Sequence, residues 1–165
     1  MAKPEKYWDV SEEKNDSVTA WAVKKMDGYD FYIAGEGGVS GGLSCMYLFQ
    51  DYVNLQQIEF NNCFDTSQVT DMRFMFSGCR SLRNLDITNF NTSKVTNMRA
   101  MFKNCNSLSS LDIKSFDTSC VTSMDFMFSG CGSLINLDVT NFDTSKVTNM
   151  RAMFNECQSS YVSRK

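Results

Sequence analysis

The chain has 165 residues, 42% hydrophobic and 21% charged, with a net charge of −3 and no histidine. This composition is typical of one folded domain, and the negative charge argues against nucleic-acid binding, which needs clustered lysine and arginine. No run approaches the ~20 apolar residues that span a bilayer, so membrane insertion is not expected. Residues 1–6 lead into polar sequence without a secretory signal, which leaves either an intracellular protein or a piece of a longer exported one.

The chain opens with a polar leader, residues 1–18, followed by an expected cap over residues 19–45. Two β-prone runs, 20–25 and 29–34, flank Met26-Asp27-Gly28, and Asp-Gly between such runs predicts a β-hairpin. The glycine-rich stretch 35–42 predicts a loop. Because it lacks the lysine of a phosphate-binding loop, we interpret it as a turn from the cap into the next region.

Residues 46–157 form a repeat array of about four units, in which phenylalanine recurs every 26 residues, at Phe76, Phe102, Phe128 and Phe154. A fixed period between 20 and 50 residues indicates stacked repeats. The first repeat is degenerate, since it carries one extra residue near Asn61-Asn62-Cys63, which predicts a bulge. The last repeat is incomplete, and the polar tail 158–165 is either a terminal cap or the cut end of a longer array.

Within one repeat, apolar residues recur at fixed positions: Leu82, Leu85, Ile87, Phe90, Val95, Met98, Met101, Phe102 and Cys105. The part from Leu82 to Ile87 predicts a short strand with one face inward. The Thr92-Ser93 pair predicts a turn, and the segment 98–104 is expected to hold one or two helical turns. Stacking of identical units would bury what one unit alone cannot. The recurring methionines are interpreted as core.

Four of the seven cysteines occur once per repeat in the same position: Cys79, Cys105, Cys131 and Cys157. We expect a buried, reduced structural ladder, because stacked units ~4.8 Å apart hold Cβ atoms farther apart than the ~3.8 Å of a disulfide. Cys45, Cys63 and Cys120 fall outside it. Cys120 takes a position that is lysine in sibling repeats, so it is expected to be exposed and able to cross-link two chains.

No catalytic residue, metal site or cofactor is predicted. Without histidine, the usual general base and the partner of a serine or cysteine nucleophile are missing. The cysteines include no C-x₂-C pair, so zinc is not expected either.

One acidic residue recurs on the outer side of the predicted strand: Glu59, Asp86, Asp112 and Asp138. Like charges about 5 Å apart repel by roughly 0.8 kcal/mol per pair in water. We expect the aspartates to accept hydrogen bonds from the backbone of a neighbouring repeat. We also expect the positive charge of Lys114 to reduce the repulsion at Asp112. A cation or ligand surface is the alternative. A separate column, Arg73, Arg99, Asp125 and Arg151, predicts a solvated face on which Asp125 pairs with both flanking arginines.

Other strand positions vary while the core positions stay fixed, as at Arg83, Ser109 and Ile135. Such columns are where a repeat protein would encode specificity, although unconstrained drift of a surface would look the same. The predicted binding face therefore consists of nine residues: Arg83, Asn84, Asp86, Ser110, Asp112, Lys114, Ile135, Asn136 and Asp138.

The repeat Leu-x-x-Leu-Asp-Ile-x-x-Phe-(Asp/Asn)-Thr-Ser-x-Val-Thr-x-Met-x-x-Met-Phe-x-x-Cys resembles that of BspA-like leucine-rich-repeat surface proteins, over about two thirds of the chain. The resemblance implies a leucine-rich-repeat solenoid of short parallel strands, turns and short helical segments behind a β-hairpin cap. It also implies a bacterial cell-surface or extracellular adhesin that binds a protein or glycan on another cell or matrix. The alternative is a soluble, cytoplasmic interaction or scaffold protein. Self-association through the C-terminal coil is a further expectation.

Overall fold

The computed structural model describes residues 8–9, 18–25, 28–35, 38–60 and 62–157. Its first strands are β1 (Trp8–Asp9), β2 (Val18–Lys25) and β3 (Gly28–Gly35). The β2 and β3 strands pair antiparallel over their full length, with Lys25 opposite Gly28. The predicted turn residues Met26 and Asp27 between them lie outside the described residues.

The expected leader is partly strand. The β1 strand pairs antiparallel with β2, so that Trp8 lies opposite Ala20 and Asp9 opposite Thr19. A two-residue strand forms here because the edge of β2 offers it hydrogen-bond partners. The polar composition of the leader does not predict this pairing. The rest of the leader, residues 1–7 and 10–17, lies outside the described residues.

Four short strands follow: β4 (Val39–Ser40), β5 (Leu55–Glu59), β6 (Phe64–Asp65) and β7 (Asn84–Leu85). The strands β3, β5 and β7 pair in parallel and extend the first sheet to the order β1-β2-β3-β5-β7. The strands β4 and β6 form a second, two-stranded parallel sheet. The N-terminal hairpin and the repeats therefore share one continuous sheet.

The sequence predicts that the glycine-rich stretch is a loop. The structure differs in part, because the stretch contains strand β4. The Val39 N–H donates to the carbonyl of Cys63, and the Gly41 N–H donates to that of Asp65 at 2.8 Å. Gly38, with a φ of +89°, makes this approach possible, since a Cβ there would lie 2.9 Å from the Cys63 carbonyl oxygen. Bonds of the repeat type thus begin ahead of the predicted boundary at Met46.

The later repeats stack in register through single parallel bridges, as from Asp71 to Asn97 and on to Ser123 and Asn149. One threonine column supports every step. In it, the N–H and the hydroxyl of each threonine donate to one carbonyl of the preceding repeat at 2.8–3.1 Å, for Thr70, Thr96, Thr122 and Thr148. The chain is therefore a repeat protein whose units are joined by backbone hydrogen bonds every 26 residues, or 27 at the first step.

The predicted helical turns are wrong. The segment 98–104 is a run of hydrogen-bonded turns, and residues 38–60 and 62–157 include no helix. Its N–H groups alternate in direction: Met98, Ala100, Phe102 and Asn104 donate to the next repeat at 2.7–3.0 Å, whereas Met101, Lys103 and Cys105 donate three residues back at 3.1–3.2 Å. A helix needs every N–H to bond four residues back within its own segment. Here the neighbouring repeat takes half of the donors instead.

Left-handed backbone recurs at two positions of each repeat. The first contains Tyr47, Phe74, Ala100, Phe126 and Ala152, and the second Asp51, Gly78, Asn104, Gly130 and Glu156. A non-glycine residue in this conformation costs roughly 1–2 kcal/mol. The bonds between repeats offset that cost, and the positive φ angles are what turn the N–H groups alternately outward and inward.

The core runs along the array inside the repeats. All nine apolar positions predicted from the repeat that starts at Leu82 are buried. At their centre Phe49, Phe76, Phe102, Phe128 and Phe154 stack with ring centroids 5.5–5.6 Å apart and planes within 6°. Such contacts add about 0.5–1.5 kcal/mol each to the effect of burial, so this stack holds the surface of every repeat in a fixed position.

Candidate functional site

The nine residues of the predicted binding face, called here the strand face, are all exposed. They alternate with the buried Leu82, Leu85 and Ile87 and their counterparts, so that the core fixes the backbone beneath them. Parallel bridges align Gln57 with Asn84 and Ser110 with Asn136. At the far end Ile135 presents an apolar side chain that is 55% exposed.

The aspartates of the strand face bond within their own repeat and not to a neighbouring one, contrary to the sequence expectation. Asp86 Oδ1 accepts from the N–H and the hydroxyl of Thr88 at 3.1 and 2.7 Å. Asp138 makes the same two bonds with Thr140, at 3.0 and 2.6 Å. Aspartate readily closes such a turn with the residue two positions on. In both cases the hydroxyl bond, followed by the N–H bond, lowers the pKa of the carboxyl group.

Lys114 acts on the column differently from the prediction. Its backbone N–H donates to Asp112 Oδ1 at 3.1 Å. The two bonds from Thr140 lower the pKa of Asp138 most, and the Lys114 ammonium group, in the preceding repeat, adds the smallest contribution. The Lys114 charge therefore acts on the aspartate of the following repeat.

A cleft of about 360 Å³ lies at the N-terminal end of the strand face. Ten of the described residues, all in the first two repeats, line it: Gln57, Ile58, Glu59, Phe60, Asn62, Phe64, Asn84, Asp86, Asn89 and Phe90. Only Asn84 and Asp86 among these belong to the predicted strand face. We refer to it as the junction cleft.

The junction cleft lies where the first repeat carries its extra residue. Asn62 has a φ of 59°, and its side-chain oxygen accepts a hydrogen bond from the Asn89 amide. On the β5 side, the Gln57 amide donates to the Glu59 carboxylate. The inserted residue is visible in the sequence, but the spacing by itself predicts only a bulge. Bulges commonly redirect side chains beside binding sites.

The ladder cysteines donate their thiol protons to carbonyls of the preceding repeat. Sγ of Cys79, Cys105 and Cys131 lies 3.0–3.2 Å from the carbonyl oxygens of Phe49, Phe76 and Phe102. Burial raises the thiol pKa to about 12 at Cys79 and at Cys131, and well above its ordinary value at Cys105. These thiols hold the repeats together and are poor nucleophiles.

The other cysteines differ in burial. Cys45 is buried, and burial raises its pKa to about 11. Cys63, Cys120 and Cys157 are partly exposed, the last being the ladder member of the final repeat. None of the seven forms a disulfide.

A second surface, not predicted as a site, combines cations with aromatic rings. The Arg99 guanidinium lies 5.7 Å from the ring centre of Phe74, and Lys103 and Arg151 lie 5.2 and 5.9 Å from that of Phe126. Arg99 also pairs with Asp125 at 3.3 Å. Asp125 is buried and accepts the Ser123 hydroxyl at 2.5 Å, so it is not on a solvated face as the sequence predicts. These cations pack on rings of the protein itself.

Within the described ranges, no group of three or more histidine, cysteine or acidic side chains is arranged to hold a metal ion. The described part of the chain has no helix of the length and apolar character needed to cross a membrane.

We compared the chain with curated proteins, solved structures and protein families. No curated protein matches the sequence. A leucine-rich-repeat protein of T. pallidum, known from its crystal structure, matches with a TM-score of 0.48 and 18% identity, over 87% of this chain and 66% of that one. The family model described as "Mycoplasma protein of unknown function, DUF285" matches residues 43–163, well over half of the chain. The protein therefore belongs to the DUF285 family.

Proposed function

We propose that this protein is a non-enzymatic binding module that recognises a protein or glycan through its strand face. In this proposal the repeats wind as a leucine-rich-repeat solenoid of the BspA-like type, and the module forms part of a cell-surface adhesin.

The observation that carries the proposal is the contrast between fixed core positions and variable exposed ones. The buried leucines of each repeat hold the backbone, while one exposed column changes from Arg83 to Ser109 to Ile135. A rigid surface with exchangeable side chains binds without a large cost in conformational entropy. Repeat proteins use extended surfaces of this kind for recognition.

The cysteine chemistry supports a non-enzymatic role. A nucleophilic cysteine is activated by a lowered pKa or by an adjacent base. Burial instead raises the pKa of Cys79 and Cys131 to about 12, and the sequence contains no histidine to act as the base.

The test is a crosslinking pull-down from host matrix and from cytosol with matched variants. The face variant is Asp86→Asn with Asp112→Asn and Asp138→Asn. The control variant is Asp65→Asn with Asp117→Asn and Asp143→Asn, three exposed aspartates that close the same kind of turn outside the strand face. The proposal expects the face variant alone to lose at least tenfold in capture. Equal capture by both variants and the wild type would remove the strand face as the site.

Surface exposure is tested separately, on intact cells that produce the protein. A membrane-impermeant biotin reagent should label an adhesin before lysis. Labelling that appears only after lysis would favour the intracellular scaffold instead.

A second candidate is self-association through the last described repeat. Met150 is 48% exposed, whereas Met72, Met98 and Met124, which occupy the same position in other repeats, are fully buried. Sedimentation velocity should show a dimer that Met150→Asp abolishes and the matched exposed change Ile135→Asp leaves intact. A protein that stays monomeric over the measured concentrations would rule this candidate out.

A further inference from the structure

The junction cleft has a chemistry distinct from the rest of the strand face. Four amides and two carboxylates line it: Gln57, Asn62, Asn84, Asn89, Glu59 and Asp86. Its volume of about 360 Å³ lies within the range of small-molecule sites, roughly 300–1,000 Å³. No cationic side chain is among the ten described lining residues, so none of these ten can pair with an anionic ligand.

Internal hydrogen bonds hold these polar groups in place while leaving part of their capacity open. The Gln57 amide bonds Glu59, and the Asn89 amide bonds Asn62. Asp86 uses Oδ1 for Thr88. One carboxylate oxygen at Glu59 and one at Asp86 therefore stay available as acceptors, and Asn62 and Asn84 have N–H donors available.

Three phenylalanines form the apolar part of the same cleft. Phe60 lies with its ring centroid 5.1 Å from those of both Phe64 and Phe90. All three are at least nine-tenths buried, so the cluster is a rigid floor. A ligand that fits must therefore combine an apolar face with many hydroxyl groups on its rim.

We propose that the junction cleft binds a neutral sugar unit of a glycan, with Asp86 and Glu59 accepting from its hydroxyls and the phenylalanine floor contacting its C–H face. This inference rests on the proposed function and names the ligand class for one end of the strand face. Carboxylates and amides together suit a hydroxyl-rich ligand, because hydroxyl groups both donate and accept. Bonds to ionised carboxylates are the stronger of these.

The experiment measures binding of lactose, maltose, cellobiose, chitobiose and mannobiose to the whole protein by ligand-observed NMR, with sialyllactose as the anionic probe. Two variants act on the cleft: Asp86→Asn removes a carboxylate, and Asn84→Trp fills the space. Each has a partner in the same repeat position outside the cleft, Asp138→Asn and Asn136→Trp. All four positions are exposed, so the fold tolerates the changes.

The proposal expects at least one neutral disaccharide to bind and sialyllactose to bind more weakly. Asp86→Asn should weaken the neutral sugar at least tenfold, Asn84→Trp should abolish binding, and both partner variants should leave it within twofold. Absence of binding by every neutral probe overturns the inference. Equal loss in the partner variants also overturns it but leaves the strand face as a broad binding surface.

The pull-down separates this inference from the function on which it rests. A macromolecule that is captured through Asp112 and Asp138, while no sugar binds, leaves the proposed function standing and removes the sugar site. If capture of the macromolecule and binding of sugar are both independent of every strand-face residue, the proposed function and the sugar site are both ruled out.

Discussion

The hydroxyl of Thr92 bonds the backbone of Asp117 twice, donating to its carbonyl at 2.9 Å and accepting from its N–H at 2.8 Å. Thr66 bonds Asn91 in the same way, and Thr118 bonds Asp143. Each of these threonines is only 1% exposed. One buried hydroxyl thus bonds both the N–H and the carbonyl of a residue in the next repeat. It does so at a position where the two backbones do not bond each other directly.

Thr92→Val should destabilise the protein strongly although it preserves shape. The substitution leaves the part-buried carbonyl and N–H of Asp117 without their hydroxyl partner, at up to about 1–3 kcal/mol for each. Urea unfolding monitored by circular dichroism measures the loss. Thr144→Val is the matched control, because Thr144 holds the same position but is exposed, and it should stay within about 0.5 kcal/mol of wild type. Equal effects of the two changes would contradict this role of the hydroxyl.

Phe102→Ala should cost about 3–5 kcal/mol of unfolding free energy, since it removes the middle ring of the stack and leaves a cavity. Among the described residues, Phe154 stacks only on Phe128, and it is partly exposed. Phe154→Ala should therefore cost clearly less. Chemical denaturation of both variants measures the two losses of unfolding free energy. A larger loss for Phe154→Ala would mean that the ring stack is not a main source of the stability of the array.

The buried thiols should resist alkylation in the native protein. A thiol pKa of about 12 at Cys79 and Cys131, against an ordinary value of 9.0, leaves ~10³-fold less thiolate, and burial also blocks access. With iodoacetamide at pH 8, mass spectrometry should find the partly exposed Cys63, Cys120 and Cys157 modified first and Cys105 protected until denaturant is added. A Cys120→Ser variant checks the assignment. Native labelling of Cys105 as fast as Cys120 would contradict the ladder.

Acid should weaken the protein through its turn aspartates. The N–H and side-chain bonds from Ser67, Ser119 and Ser145 lower the pKa of Asp65, Asp117 and Asp143, and this stability is lost as pH falls below the ordinary value of 3.8. Substituting all three by asparagine keeps the acceptor and removes the titration, as Asn91 already does in its repeat. Tm between pH 5 and pH 2 should therefore fall less steeply in the triple variant. An unchanged slope would exclude these groups.

Gly130→Ala and Gly132→Ala should differ sharply. Gly130 has a φ of +79°, and a Cβ there would lie 2.4 Å from Asn104 Oδ1. Strained backbone alone costs roughly 1–2 kcal/mol. Around Gly132 a Cβ would meet nothing within 4 Å. Thermal unfolding should show a lower Tm for the first variant only, and equal Tm values would contradict the strain.

The repeat and its core were predictable because both depend on periodicity alone. The positions from Leu82 to Cys105 recur at one spacing, and burying them requires only that equivalent positions stack. The resulting contacts, such as the phenylalanine stack, follow directly from a constant repeat length.

The helical turns were predicted wrongly because local preference and the array disagree. Alanine favours helix, yet Ala100 has a φ of 52° and donates its N–H to Asp125 of the next repeat at 2.9 Å. Hydrogen bonds between repeats outweigh the preference of a short segment. The solvated position predicted for Asp125 was wrong for a similar reason. Its burial depends on bonds to the Ser123 hydroxyl and to Arg99, which the repeat pattern does not show.

The junction cleft could not be predicted from the sequence, for a different reason. The extra residue is visible in the spacing, but the spacing shows neither the backbone angle at Asn62, which lines the cleft beside it, nor its bond to Asn89. Neither quantity is encoded by one residue type, because both are set where the first two repeats meet.

The threonine column has a consequence for the gene. Successive threonine bonds span 26 residues at Thr96, Thr122 and Thr148, so duplication or deletion of one 26-codon unit recreates the same joint. Each added unit would lengthen the exposed surface by roughly 4.8 Å. Recombination can therefore change the reach of this protein, and the order of its variable side chains, without a new fold having to evolve.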